Sequence, residues 1–380
     1  RAVYDVFEHP APEGRNGRAG ALDRAWKLLL MNQFHDIIPG SSIQWVYRDS
    51  ELDYQTIHTL AQQVWLDASS AMVSSMSTGS ASKPVAAWNS LAWERTEVVE
   101  LDDGRPVVAE VPACGYAIVD AATADRVPEG WTPVTVEESG GRIVLDNGLI
   151  RLELDEQGLV SGLRDLQCER EVIPAGARGN LLQLHPDDPN QWEAWDVDLF
   201  YKEVFEEIVG VESIEVLEAG GLRAVVRVVR KFGGSTMDQR LVVRAGSKRI
   251  DFETNIDWQE RKRFLKVAFP VDVRSQRATY EIQYGHLERP THMNTSWDLA
   301  RFEVCAHKWA DLSEPGYGVA LLNDCKYGHD IFGNTMRLSL LRGPGSPDPD
   351  ADRGRHRFTY ALLPHRSEEH TSELQSRQSI

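Results

Sequence analysis

His35 and Asp36 stand side by side in the string Asn32-Gln33-Phe34-His35-Asp36-Ile37-Ile38-Pro39-Gly40-Ser41-Ser42. Imidazole is a good zinc ligand, and a carboxylate readily accepts hydrogen bonds from sugar hydroxyls. Neighbours on a helix point about 100° apart, but at a helix terminus both can face one cavity. The plainer alternative is a helix cap or a satisfied polar pair in the core. Zinc takes three or four protein ligands, and no second metal-spaced His, Cys or Asp cluster lies nearby, so spacing alone leaves the choice open.

Weaker candidates lie further along. Trp192, Glu193, Trp195, Asp196 and Asp198 form an aromatic-acidic cluster. Indole faces stack on sugar rings and carboxylates bind hydroxyls, which makes Trp195 and Asp196 candidate substrate contacts; the alternative is a Trp-anchored sandwich core with loop acids. His286, Glu288, Arg289, His292, Asn294 and Trp297 read as a polar interdomain loop after a strand, because HLERPTH lacks the helical HExxH spacing and carries Pro290. Asn323 to Gly328 follows the apolar strand GVALL. Tyr327 is a candidate substrate contact there, against the alternative of a plain turn with Gly328 at positive φ. Arg261, Lys262 and Arg263 read as a solvated face.

These residues need elements to hold them. Leu22, Ala25, Trp26, Leu29, Leu30, Phe34 and Ile37 recur near a 3.6 period and predict a helix over 22–38, with Asp23 as its N-terminal signal and Pro39-Gly40 as its stop. A second stripe, Ile43, Val46, Tyr47, Tyr54, Ile57, Ala61, Val64, Ala68 and Met72, predicts a helix of about 30 residues packed along a bundle neighbour. Residues 77–83 are a small polar linker. From Pro84 onward short alternating runs are broken by Gly, Asn and Asp, and the DNG at 146–148 is a hairpin signal. The expected class is an α+β multidomain chain: a helical-bundle segment over 1–76, a small antiparallel β-sandwich over 84–130 and a large one over 131–365.

The 380 residues carry 42% hydrophobic side chains and a net charge of −17, which argues against a nucleic-acid or anionic-membrane partner and fits a neutral substrate. No apolar run reaches the roughly 20 residues of a membrane span, and the opening RAVYDVFEHP lacks the apolar stretch of a secretory signal. The four cysteines, Cys114, Cys168, Cys305 and Cys325, are far apart without a CxxC, which reads as reduced thiols in a cytoplasmic protein. The string RSEEHTSELQS from Arg366 resembles a translated sequencing-library adaptor, so residues 366–380 are expected to be non-native.

AWKLLLMNQFHDIIPGSSI followed by VYRDSELDY resembles the zinc-ligand helix of glycoside hydrolase family 38 α-mannosidases, in their cytosolic and bacterial branch. RGNLLQLHPDDPNQWEAWDVDLFY, the long string from YGHLERPTH to CKYGHD, and GRHRFTYALLPH resemble the β-domains of the same branch, so the likeness runs from about Leu22 to His365. It implies an upstream α/β barrel, a three-helix bundle and β-sandwiches, the larger galactose-mutarotase-like. It implies that His35 is the last Zn2+ ligand and that Asp36 accepts hydrogen bonds from the mannose being cleaved. The other ligands, the nucleophile and the acid/base would all lie upstream, so no catalytic carboxylate is expected in this chain and the isolated fragment should be inactive. The implied reaction is retaining hydrolysis of terminal α-mannose on an oligosaccharide; a homo-oligomer stays open. A non-catalytic carbohydrate-binding β-sandwich protein, or a zinc-free glycosidase with a similar sandwich, would not need His35 beside Asp36.

Overall fold

The computed structural model describes residues 17–366. The chain's opening residues and, Arg366 apart, the expected adaptor-derived tail lie outside the described residues. The described chain is mostly β-sheet with few helices, in two compact units.

The first unit contains the two long helices together with 188–197 and 344–351. Helix α1 spans Arg18–Met31 and helix α2 spans Gln44–Val73, the latter 30 residues long as its stripe predicts. α1 differs from expectation at both ends. It starts beyond Gly17, and Asp23 is not its cap but pairs with Lys27 one turn on, at 2.7 Å. It stops at Met31 because the Asn32 side chain donates to the Leu28 carbonyl at 2.9 Å and to Asp53 Oδ2 on α2 at 3.0 Å. This side-chain competition ends the ladder well before Pro39 does. His35 and Asp36 therefore sit in a run of turns between the helices, not on the last turn of one. Few apolar side chains are buried here, Ala25 and Val64 among them, whereas Leu30, Phe34, Ile38, Trp45 and Trp65 are exposed.

The second unit is the β-structure. Strands Pro84–Asn89 and Gly115–Asp120 pair antiparallel, as do Arg95–Glu100 and Pro106–Val111. Leu101, Val107, Ala109, Val111, Val119 and Ala121 form a small core of their own. A 14-stranded and a 6-stranded sheet follow, with a shared core. Phe252 on the larger sheet meets Phe269 on the smaller at 5.5 Å between ring centroids and stacks on Tyr360 at 5.1 Å. Valine-rich RAVVRVVRKF makes the central strand Arg223–Phe232, where branched side chains suit a pleated, buried surface. The hairpin at 146–148 forms as expected, joining Arg142–Asp146 to Ile150–Leu154 with Gly148 at φ 78°.

Candidate functional site

The turns from Asn32 to Ile43 are built around Tyr47 of α2. Its hydroxyl accepts the Ser42 N–H at 2.8 Å and lies 3.2 Å and 3.3 Å from the carbonyls of Asp36 and Ile37, one of which takes its proton. With Asn32 pinned between Leu28 and Asp53, the turn is fixed at both ends. Between these anchors the His35 side chain is 74% exposed, with Nε2 3.8 Å from Asp36 Oδ2. Phe34 packs its ring against the imidazole at 4.2 Å between centroids. The imidazole and carboxylate thus face solvent together, free of an apolar interior. Tyr47 and Asn32 were missed as site residues: one reads as a stripe position, the other as a polar residue near a helix end.

His35 and Asp36 alone are too few donors for a metal. Among the described residues no group of three or more His, Cys, Asp and Glu side chains converges as a metal centre. Zinc prefers imidazole, thiolate and carboxylate donors and takes three or four from protein. His35 and Asp36 are donor types that zinc accepts, and the two cannot complete a site.

Trp195 and Asp196 lie in 188–197, hence in the same compact unit as His35 and Asp36. Both are exposed, and their backbone N–H groups donate to the Trp192 carbonyl at 2.7 Å and 2.9 Å. Trp192 and Glu193 share that unit, whereas Asp198 and Tyr327 belong to the β unit. Tyr327 is exposed, its ring edge-on to His307 at 5.8 Å, and its carbonyl accepts the Ala306 N–H at 2.9 Å.

Two expectations for the β unit need correction. Gly328 is not a positive-φ turn residue: it opens strand Gly328–Phe332, and a Cβ there would stand 2.7 Å from Ser339 Cβ, so close strand approach demands glycine. His286, Glu288 and Arg289 are not loop residues either but lie on strand Gly285–Pro290, where Pro290 is tolerated because the strand is at the sheet edge. Arg289 lies over the Tyr280 ring at 4.6 Å and donates to the Cys305 carbonyl at 2.9 Å. His292 pairs with Asp298 at 3.5 Å, and Trp297 is exposed on the short helix α3, Ser296–Leu299. Arg261, Lys262 and Arg263 are exposed as expected.

A titratable cluster that sequence reading missed is buried against the 6-stranded sheet. Lys266, in the apolar run RFLKVAFP, is fully buried. It pairs with Glu303, donates to the Tyr201 hydroxyl at 3.1 Å and lies 3.8 Å from Asp330. Lys202 and Arg337 approach Asp330 at 3.0 Å and 3.6 Å. Burial alone would raise the Asp330 carboxyl, but Lys266, Lys202 and Arg337 outweigh it and hold it below the usual carboxylate range. Burial pushes the imidazoles of His185 and His329 down to about 4, Lys266 adding to the effect on both. The signal in the sequence was one lysine inside the otherwise apolar stretch from Phe264 to Pro270. Paired this fully, the cluster reads as a structural tie between sheet and covering segments.

Two family models match the chain. The model described as "Glycosyl hydrolases family 38 C-terminal domain" matches residues 145–350, and "Alpha mannosidase middle domain" matches residues 11–72. Alpha-mannosidase 2C1 of Homo sapiens is 43% identical over 92% of this chain and 34% of its own length. Alpha-mannosidase G of Dictyostelium discoideum is 36% identical over 91% of this chain and 36% of its own. The chain therefore spans about a third of the length of the curated relatives it matches. A solved α-mannosidase from Enterococcus faecalis V583 superposes over 95% of this chain and 52% of its own with TM-score 0.77 at 15% identity, a likeness of fold.

Proposed function

This chain belongs to glycosyl hydrolase family 38, and on that premise we propose that it is part of a zinc-dependent retaining α-mannosidase acting on terminal α-mannose residues of oligosaccharides. The observation that carries this reading is the His35–Asp36 pair, solvent-facing and clamped in a turn by Tyr47 and Asn32. In it, His35 supplies one zinc ligand. Asp36 accepts hydrogen bonds from the hydroxyls of the bound mannose, and Trp195, Asp196 and Tyr327 are further substrate contacts. The remaining ligands, the nucleophile and the acid/base belong to parts of the protein beyond this sequence, so the chain alone is inactive.

Bound zinc would act as a Lewis acid that holds vicinal sugar hydroxyls and favours a distorted ring. Asp36 then orients the sugar, while the turn fixes both side chains before substrate arrives. Such preorganisation matters because a displacement of about 1 Å in a positioning group can cost two orders of magnitude in rate. The large sandwich is proposed to be galactose-mutarotase-like. The β-structure is proposed to divide into sandwiches over 84–130 and 131–365, and the separate small core of Leu101, Val107 and Val119 supports that division. A cytoplasmic location fits the four unpaired cysteines.

The test is the stereochemistry of the first product. The full-length protein that contains this chain, incubated with an α-mannobiose and followed by proton NMR, should release α-mannose before mutarotation sets in, and a zinc chelator should abolish release. First-formed β-mannose, or chelator-resistant activity, would refute the reading.

A further inference from the structure

Residues 188–197 group with the helical unit although their chain neighbours on both sides belong to the β unit. A hydrogen bond between sequence-distant segments secures them: the Gly345 N–H donates to Glu193 Oε2 at 2.6 Å. Gly345 admits that carboxylate closely, since a Cβ there would lie 3.1 Å from the same oxygen. The 344–351 segment is tied in turn to the start of α2, where Gln44 Nε2 donates to Asp350 Oδ2 at 3.2 Å.

Trp192 in this loop has φ 60°, in the left-handed region. Glycine and asparagine adopt that region readily, whereas a bulky aromatic there is strained. The strain is held by the Trp195 and Asp196 N–H groups, which both donate to the Trp192 carbonyl. Burial of the indole does not compensate, because the side chain remains 69% exposed, and Trp195 nearby is 53% exposed. Strained residues kept by their surroundings cluster at ligand sites. Two indoles three positions apart, interleaved with Glu193 and Asp196, present the aromatic faces and carboxylates by which pyranose rings are held.

We propose that Trp192 is a stacking platform for a pyranose ring on the leaving-group side of the scissile bond, a specificity-determining contact for oligosaccharide substrates. This rests on the α-mannosidase reading above. An enzyme that removes a terminal sugar encloses one ring at the metal, and the rest of the glycan must run outward across exposed surface. An exposed indole on a backbone held by two hydrogen bonds, in the unit that carries His35 and Asp36, suits that outgoing chain.

The left-handed backbone supplies a clean variant. Trp192→Gly removes the platform and relieves the strain, so the fold should be unharmed. In the full-length protein, kcat/KM should fall about fivefold to tenfold on an α-mannobiose, while α-mannosyl fluoride, which has no leaving-group ring, should stay within about twofold. Trp192→Phe should retain most of the mannobiose activity, and the melting temperature of the glycine variant should be unchanged or higher. An unchanged rate on mannobiose, an equal loss on both substrates, or a phenylalanine variant as poor as glycine would overturn the platform. A wild-type protein that hydrolyses neither substrate would instead sink the mannosidase reading and this inference with it.

Discussion

At the scale of single residues, the side chains that hold the turn matter as much as the pair they present. His35 and Asp36 are on display because Asn32 ends the first helix early and Tyr47 closes the turn from the second. The Tyr47 hydroxyl serves as acceptor to one backbone group and donor to another, so its removal leaves two partly shielded groups to water. Tyr47→Phe should cost about 1 kcal/mol locally. Amide exchange at Ser42, followed by mass spectrometry or NMR, should then rise about fivefold. Unchanged exchange at Ser42 would show that the turn holds without the hydroxyl.

At the scale of elements, the buried cluster on the 6-stranded sheet sets a pH dependence. The folded imidazoles of His185 and His329 protonate only near 4, against an ordinary value of 6.5. In the unfolded chain they protonate near 6.5, so as pH falls the unfolded state gains protons first. Stability is therefore unaffected above that value and declines between about pH 6.5 and 4, each histidine contributing at most on the order of 3 kcal/mol. Asp330 acts lower down: its depressed folded value contributes stability that is full above the unfolded carboxylate range near 4 and is lost as pH drops through the folded value. Denaturant midpoints of the full-length protein should fall from pH 7 to pH 5, and His329→Phe should flatten that fall by about half. An unaltered slope in the variant would contradict the assignment.

The same scale shows what could be read in advance. The 30-residue helix and the Asp146–Gly148 hairpin were legible because each follows from a period or a turn residue within a few positions. The end of α1 was not, since it depends on Asp53, 21 residues away. Nor was the grouping of 188–197 with the helices, whose Glu193–Gly345 bond spans 152 positions. The role of Lys266 was not legible either, since it depends on Glu303 and Asp330, 37 and 64 positions away. Local patterns thus revealed the elements, and long-range hydrogen bonds decided which segments come together.

For the whole molecule, the helical unit is where apolar side chains remain uncovered. Two helices cannot bury both their apolar faces: Leu30, Trp45 and Trp65 lie exposed on them, and Phe34 and Ile38 in the turn between. Exposed apolar surface of this extent ordinarily marks a place where other protein packs. The turn bearing His35 lies in that unit. On the proposed reading, His35 supplies one ligand and the zinc centre needs more donors than this unit offers.

The central claim is that His35 reaches a catalytic zinc ion. It is tested most directly by replacing His35 with Ala in the full-length protein and measuring bound zinc together with α-mannoside turnover. The account predicts loss of most of the metal and a fall in turnover of at least about a hundredfold, since even the partners of metal ligands are worth 10- to 100-fold. Zinc content and turnover both unchanged from the parent would contradict it.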